Sequence, residues 1–355
     1  MRPHITLIVL LLAGSLASAQ EVRLGVLGLF HPRQLIVSAP AGTAIIVHAA
    51  QQSFAIENSS GANSANIQSV GNGLVLRCGT HAVESPELTV SSRENGPVDF
   101  LLSVPGKITR HYRGRLKIEQ ALGILIPVVS MDVETAVASV VAAESVPGAP
   151  MEALRAQAVA ARSYFAAGKG RHDDFDFCDT THCQFLREAP GPEAAASKAT
   201  IATRGFVIAY QSRVFAAMYT RRCSGRTRTP ADIALPVAAY PYYSVECKYC
   251  RQHPAYWRSR ISVQDAAHLR SSDDPARIEA GRRLGWNVIQ SDDFTLRKRG
   301  EQVLVEGRGQ GHGVGLCQAG AREMAEEGSD FRQILAHYYP NTTVMSLALE
   351  STRKR

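Results

Sequence analysis

The chain has 355 residues, 39 Lys and Arg against 32 Asp and Glu, a formal net charge of +7, and seven cysteines. That length allows one large or two ordinary domains with real cores. The basic excess is modest and spread along the chain, and beyond the N-terminus no run is apolar enough to span a bilayer, so composition points away from an integral membrane protein.

The N-terminus carries Arg2, a short apolar run from Ile5 to Leu12 and the small-x-small triplet Ala17-Ser18-Ala19. This pattern reads as a signal peptide over residues 1–19, which places the mature chain in the periplasm, the cell envelope or outside the cell. Only Arg2 among the charged residues is lost with it, so the mature chain stays basic. Export argues against nucleic acid as a partner and fits an anionic envelope polymer. It also permits disulfides, and an odd cysteine count leaves at least one thiol free, metal-bound or paired between chains.

Residues 20–105 read as a β-rich module. Val22–Leu27, Leu35–Val37 and Ala44–Val47 are short apolar runs separated by Gly, Asn, Pro and Ser, with a long polar turn at Asn58–Asn63. Cys78 reads as a small buried residue. From residue 106 onward helices and strands mix, so the expected class is α+β, with a second region over 106–355. Tyr112–Ile118 and Gly123–Val129 suit strands. Asp132 is placed to cap a helix with Glu134 in its first turn, running through Val137, Val140 and Val141 to Glu144. Pro147-Gly148 ends it. A second helix, about Met151 to Ala167, carries the apolar stripe Leu154, Ala158, Ala161 and Phe165 and enough alanine for close packing. A short helix over Glu193–Ala202, strands at Phe206–Tyr210 and Val214–Tyr219, a loop from Cys223 to about Pro241, a polar stretch over Ile261–Asp293 without a clear period, a strand at Gln302–Val305 and a closing helix complete the chain.

Four clusters carry chemistry. Glu144 follows Val140 and Val141 and precedes Val146, apolar neighbours that would disfavour its charged form and leave a carboxylic acid able to protonate a leaving oxygen. His172, Cys178, His182 and Cys183 form a nitrogen–sulfur set suited to tetrahedral zinc; a Cys178–Cys183 disulfide is the competing reading. Asp173, Asp174, Asp176 and Asp179 lie near enough to support those histidines. Gly307–Gln318 has the letters of a phosphate loop without the flanking nucleotide fold, and is better read as a tight turn that lets His312 and the backbone approach a ligand or the acid. Cys223 with Cys247 and Cys250 offers a disulfide plus a spare thiol, or a metal site. No organic cofactor is indicated.

The runs VVAAE, MEALRAQAVAARSYF, CDTTHCQ, GRGQGHGVGLCQAGA and ILAHYYPNT, in this order over Tyr112–Thr343, resemble the SpoIID/LytB family, named for stage II sporulation protein D and an amidase enhancer. The resemblance implies a peptidoglycan lytic transglycosylase acting on denuded glycan strands, with Glu144 as its single catalytic acid, 1,6-anhydro-muramyl ends as product, and a cell-wall amidase as functional partner. It also implies zinc at His172, Cys178, His182 and Cys183. Arg162, His312 and Gln318 are the residues expected to position the sugar. The chain departs from the family pattern at Ser145-Val146, where Met-Pro is common, at Gln310 and at Cys317. The competing reading within the same family is a non-catalytic wall-binding amidase enhancer; a third would make the zinc itself catalytic.

Overall fold

A computed structural model describes residues 20–57, 64–233, 239–271 and 276–347. The expected signal peptide and the polar turn Asn58–Asn63 lie outside the described residues. No helix among the described residues is long and apolar enough to cross a membrane.

The architecture is α+β. Eleven strands come first: β1 (Glu21–Gly25), β2 (Gln34–Ser38), β3 (Ala44–Ala49), β4 (Gln52–Glu57), β5 (Ser64–Val70), β6 (Gly73–Cys78), β7 (His81–Ser85), β8 (Leu88–Ser91), β9 (Val98–Val104), β10 (Ile108–Ala121) and β11 (Ile124–Asp132). They curl into one largely antiparallel sheet, ordered β1-β11-β10-β9-β2-β5-β6-β7, with β8 joining β10 to β3 and β3 paired to β4. Alternation on these strands puts one face inside: Ile45, Val47 and Ala49 on β3, and Ala65 and Ile67 on β5, are buried, while their neighbours are not. The long strand β10 pairs with β9 along its first half and with β11 and β8 along its second. Gly114 sits where the pairing changes, and a Cβ there would lie 2.4 Å from the Ser130 carbonyl oxygen.

Helix α1 (Val133–Glu144) starts on Asp132, whose carboxylate accepts from the Glu134 and Thr135 amides, as its sequence predicts. Helix α2 (Met151–Ala167) follows the turn at Pro147-Gly148 and is buried over most of its length from Ala153 to Phe165. A short strand β12 (Phe177–Cys178) then adds in parallel to β1. Helix α3 (Ala195–Ala202) packs beside α1 and α2. Strands β13 (Phe206–Tyr210) and β14 (Arg213–Val214) make a small sheet with the last strand, β20 (Thr343–Ser346). The strand expected over Val214–Tyr219 is interrupted: its end forms β15 (Tyr219–Thr220), which pairs in parallel with β19 (Leu316–Cys317).

A second core lies in the stretch whose sequence shows no clear period. After α4 (Lys248–Gln252), strand β16 (Tyr256–Ser262), helices α5 (Val263–Ser271) and α6 (Ala276–Arg283), and strands β17 (Phe294–Arg299) and β18 (Gln302–Arg308) form a lobe around Trp257, Ile261, Leu269, Ile289, Val303 and Val305. The chain returns through the glycine-rich loop to β19, then α7 (Gln318–Glu326) and α8 (Phe331–Tyr338). The main core runs without a break from Val22 on β1 to Tyr339 beyond α8.

Candidate active site

Glu144 is the last residue of α1, where the helix leaves backbone carbonyls without intrahelical partners. Its own carbonyl oxygen accepts from Gln318 Nε2 at 3.0 Å and lies 3.5 Å from Arg221 Nη1. The residue is half-buried, but its carboxyl turns inward. There the Phe185 amide donates to one carboxyl oxygen, and the Tyr219 hydroxyl lies beside the group. Burial pushes the Glu144 carboxyl up from its ordinary 4.5 to about 7, against the Phe185 amide, Tyr219, Arg277 and Arg221, each of which pulls it down.

The Tyr219 hydroxyl also reaches Gln184 Oε1, at 2.7 Å. The Gln184 amide nitrogen faces the Ala161 carbonyl at 3.4 Å, which fixes that orientation. The hydroxyl thus has two acceptors in reach, Gln184 Oε1 and the Glu144 carboxylate, and donation to the carboxylate is how Tyr219 lowers the Glu144 pKa. Next to this network, Ser145 Oγ and Gln157 Nε2 are buried without a protein partner. Orphaned polar groups of this kind are unusual and call for an explanation such as a bound ligand or water.

The three residues expected at the sugar are all committed to internal contacts. Arg162 is fully buried. Its guanidinium donates to both Glu134 carboxylate oxygens at 2.9 and 2.6 Å and to the carbonyls of Phe206, Thr200 and Ala158 at 3.0, 3.3 and 3.5 Å. All five of its N–H donors are thus spent tying α1, α2, α3 and β13 together. Gln318 opens α7 and gives one amide hydrogen to the Glu144 carbonyl and the other to Gln157 Oε1 at 3.1 Å. His312 accepts the Val314 amide on Nδ1 at 3.1 Å and hydrogen-bonds the Tyr219 backbone. Burial, with a further push from Arg277, holds its imidazole down to about 3. His312 is therefore a neutral prop behind Tyr219 rather than a proton donor at neutral pH, and it does share the Glu144 neighbourhood.

The glycine-rich loop reaches that neighbourhood because it lies on the backbone of β15. At Gly315 (φ +73°) a Cβ would be 1.9 Å from the Met218 carbonyl oxygen, and at Gly311 (φ +94°) 2.5 Å from Thr220 Oγ1. Thr220 Oγ1 in turn donates to the Gln310 carbonyl at 3.0 Å and accepts the Gly313 amide at 3.1 Å.

His172, Cys178, His182 and Cys183 come together with their donor atoms all within 4.8 Å of one another. His172 Nε2 is 3.3 Å from Cys183 Sγ, and His182 Nδ1 is 3.6 and 3.7 Å from the sulfurs of Cys183 and Cys178. The two sulfurs are not joined. Two imidazoles and two thiols at these separations suit a tetrahedral zinc ion. Two of the neighbouring aspartates serve the sheet instead of the histidines: Asp176 accepts the Arg23 amide at 3.1 Å, and Asp179 accepts the Leu27 amide at 3.1 Å and an Arg110 Nη1–H at 2.9 Å. The segment thus hangs on β1 and β10, and two residues past Cys183 it delivers the Phe185 amide to Glu144.

Several residues of this site carry no sequence signal of their own. Tyr219 sits in an unremarkable run, and Gln184, although it closes the CDTTHCQ run, is not singled out there. Arg277 lies on α6 in the separate lobe, 9% exposed and paired to Asp292 at 3.3 Å, yet its charge acts on both Glu144 and His312.

Residues 123–210 match the family model described as SpoIID, stage II sporulation protein. Stage II sporulation protein D of Bacillus amyloliquefaciens is 26% identical over 258 residues, covering 61% of this chain and 74% of that protein. An uncharacterized protein of Brachyspira hyodysenteriae is 27% identical over 267 residues, covering 66% of this chain and 72% of its own. The amidase enhancer of Bacillus subtilis is 40% identical over 63 residues, which span 18% of this chain and 9% of the enhancer.

Proposed function

We propose, for a chain that belongs to the SpoIID family, that it is an exported peptidoglycan lytic transglycosylase acting on denuded glycan strands, with Glu144 as its catalytic residue. The observation that carries this reading is the inward carboxyl of Glu144, held protonated up to about pH 7 beside Tyr219. A general acid works best when its pKa lies near the operating pH.

In this mechanism Glu144 gives its proton to the oxygen between N-acetylmuramic acid and N-acetylglucosamine. As the glycosidic bond breaks, positive charge develops at C1. The C6 hydroxyl of the same muramyl residue attacks C1, and the Glu144 carboxylate, now a base, takes the hydroxyl proton. The enzyme returns to its starting state and the product carries a 1,6-anhydro ring. Because the nucleophile is the sugar's own hydroxyl, no second carboxylate is needed to activate water, unlike the paired acids of hydrolytic glycosidases. Phe185 and Tyr219 hold the carboxyl in place. Gln318 fixes the helix end that carries it, while His312 and Arg162 act from behind as positioning residues.

Zinc, when bound by His172, Cys178, His182 and Cys183, supplies a rigid tetrahedral anchor for the segment that presents Phe185. All four donors are protein side chains, which is the pattern of a structural site. A second reading, an amidase enhancer without glycan-cleaving activity, is favoured by the short match to the amidase enhancer alone.

Mass spectrometry of denuded glycan strands digested by wild type and Glu144→Gln separates these readings. The transglycosylase predicts anhydro-muramyl ends from wild type and at least a hundredfold fewer from the variant. Equal digestion by both would remove Glu144 from the chemistry. Stimulation of a cell-wall amidase with no anhydro ends from either would establish the enhancer.

A further inference from the structure

Four cysteines that the proposed reaction does not use converge in the interior. Cys223, Cys247, Cys250 and Cys317 are each at most 2% exposed, and their sulfurs all lie within 4.8 Å of one another. The Cys250 and Cys317 sulfurs are 3.5 Å apart. They arrive from three elements: Cys223 from the loop after β15, Cys247 and Cys250 from the start and interior of α4, and Cys317 from the end of β19 at the N-cap of α7. A tetrahedral ion with zinc–sulfur bonds of about 2.3 Å sets its sulfurs about 3.8 Å from one another. A disulfide requires about 2.05 Å. The observed spread matches the tetrahedron.

The surroundings are those of metal-bound thiolates. The Cys223 amide donates to Cys317 Sγ at 3.3 Å, and the Tyr338 hydroxyl to Cys247 Sγ at 3.5 Å. Such donors orient sulfur ligands and offset their charge. Helix α7 passes the cluster at Gly320, where a Cβ would fall 2.5 Å from Cys247 Sγ and 2.1 Å from the Tyr338 oxygen. No larger residue leaves room for the sulfur and its donor together.

We propose that Cys223, Cys247, Cys250 and Cys317 form a second metal centre, a closed four-sulfur zinc site distinct from the His/Cys set. Binding forms four zinc–sulfur bonds in place of the ion's water ligands, and the four thiols release their protons to solvent; no oxidation is involved. With every position taken by sulfur the ion is structural. It welds the loop behind Tyr219, helix α4 and the first residue of α7 into one unit. Gln318, which holds the Glu144 carbonyl, is the next residue after a ligand. A second centre also accounts for the odd cysteine count, because the two sets use six cysteines and leave only Cys78, buried in the sheet. It is independent of which reaction the protein performs.

The test uses the full chain with Cys178→Ser and Cys183→Ser, which dismantles the His/Cys set and leaves the buried four intact. Elemental analysis should find about one zinc per chain, and zinc-edge absorption should give about four sulfur neighbours at about 2.3 Å. The four thiols should resist alkylation in the native chain and react in denaturant with chelator and no reductant. Metal-free protein whose four cysteines react freely, or react only after reduction, would overturn the proposal. Should this variant not fold, the wild-type chain is measured the same way. An average shell of about three or more sulfurs per zinc supports the second centre, and a shell of two sulfurs and two nitrogens on a single zinc refutes it.

Discussion

Glu144 keeps a proton that most glutamates have lost at neutral pH, and this has two measurable consequences. The first concerns activity. With its carboxyl pushed up to about 7, the acid is competent below that value and deprotonated above it. The pH profile of kcat/KM on denuded glycan should therefore fall on its alkaline side with a midpoint near 7. His312, held down to about 3, is neutral throughout and contributes no limb in that range. The second concerns stability. Below pH 4.5 the folded and unfolded states are both protonated at this position. As pH rises from 4.5 to about 7 the unfolded chain loses its proton first, the folded state binds more protons, and stability falls. The full cost above pH 7 is roughly 3 kcal/mol, at about 1.4 kcal/mol for each pH unit that separates the two states' titrations. Glu144→Gln removes that cost while its amide oxygen can still accept from Phe185. Denaturant titration should find the variant close to wild type at pH 4 and more stable by up to roughly that amount at pH 8. Parallel stability curves at all pH values would show that the carboxyl is not strained.

The elements that carry Glu144 are readable from their own residues, and those that complete its surroundings are not. Asp132 as a cap, the Val and Ala stripe and the Pro147-Gly148 break define α1, and the alanine-rich face of α2 defines its partner, because capping, periodicity and chain breaking are local physics. Strand β15 is different. Its two residues are held by β19, a partner near the far end of the chain, so nothing in Val214–Tyr219 marks where one strand must stop and another begin. The inward use of Arg162 is likewise invisible locally. An arginine on a helix is most often solvated, and its burial here depends on Glu134 and on carbonyls of α3 and β13. Gln318 shows what such distant contacts are worth. Its amide joins α7 to the end of α1, so Gln318→Ala should cost about 1–2 kcal/mol in stability. Because both of its amide hydrogens are given to the Glu144 carbonyl and Gln157 Oε1, kcat should fall about tenfold or more while KM stays within about twofold. A rise in KM at unchanged kcat would instead mean that Gln318 grips the substrate.

At the scale of the molecule, the lobe built from β16, α5, α6, β17 and β18 has its own small core, yet it takes part in the site. Residues 261–293 show no clear period because α5 and α6 are short and bury few apolar residues each, so the pattern that marks a long amphipathic helix has no length over which to repeat. What ties the lobe to the site is the loop after α6. The Gly311 amide donates to the Gln290 carbonyl at 2.7 Å, and the Asp292 amide to the Gly311 carbonyl at 3.2 Å, stitching the lobe onto the glycine-rich loop beside His312. Arg277 then directs positive charge toward Glu144 and lowers its pKa against the larger effect of burial. Removing that charge should let the Glu144 pKa rise further, moving the alkaline limb of kcat/KM to higher pH. A single Arg277→Met would leave Asp292 buried without its partner, at a cost of about 3–5 kcal/mol, so the informative change is Arg277→Met with Asp292→Asn. Arg277→Lys keeps the charge and should leave the limb near its wild-type position. If the double variant folds and its limb does not move, the lobe's cation does not act on the acid; if the limb moves upward, a residue from a separate core sets the working pH range of Glu144.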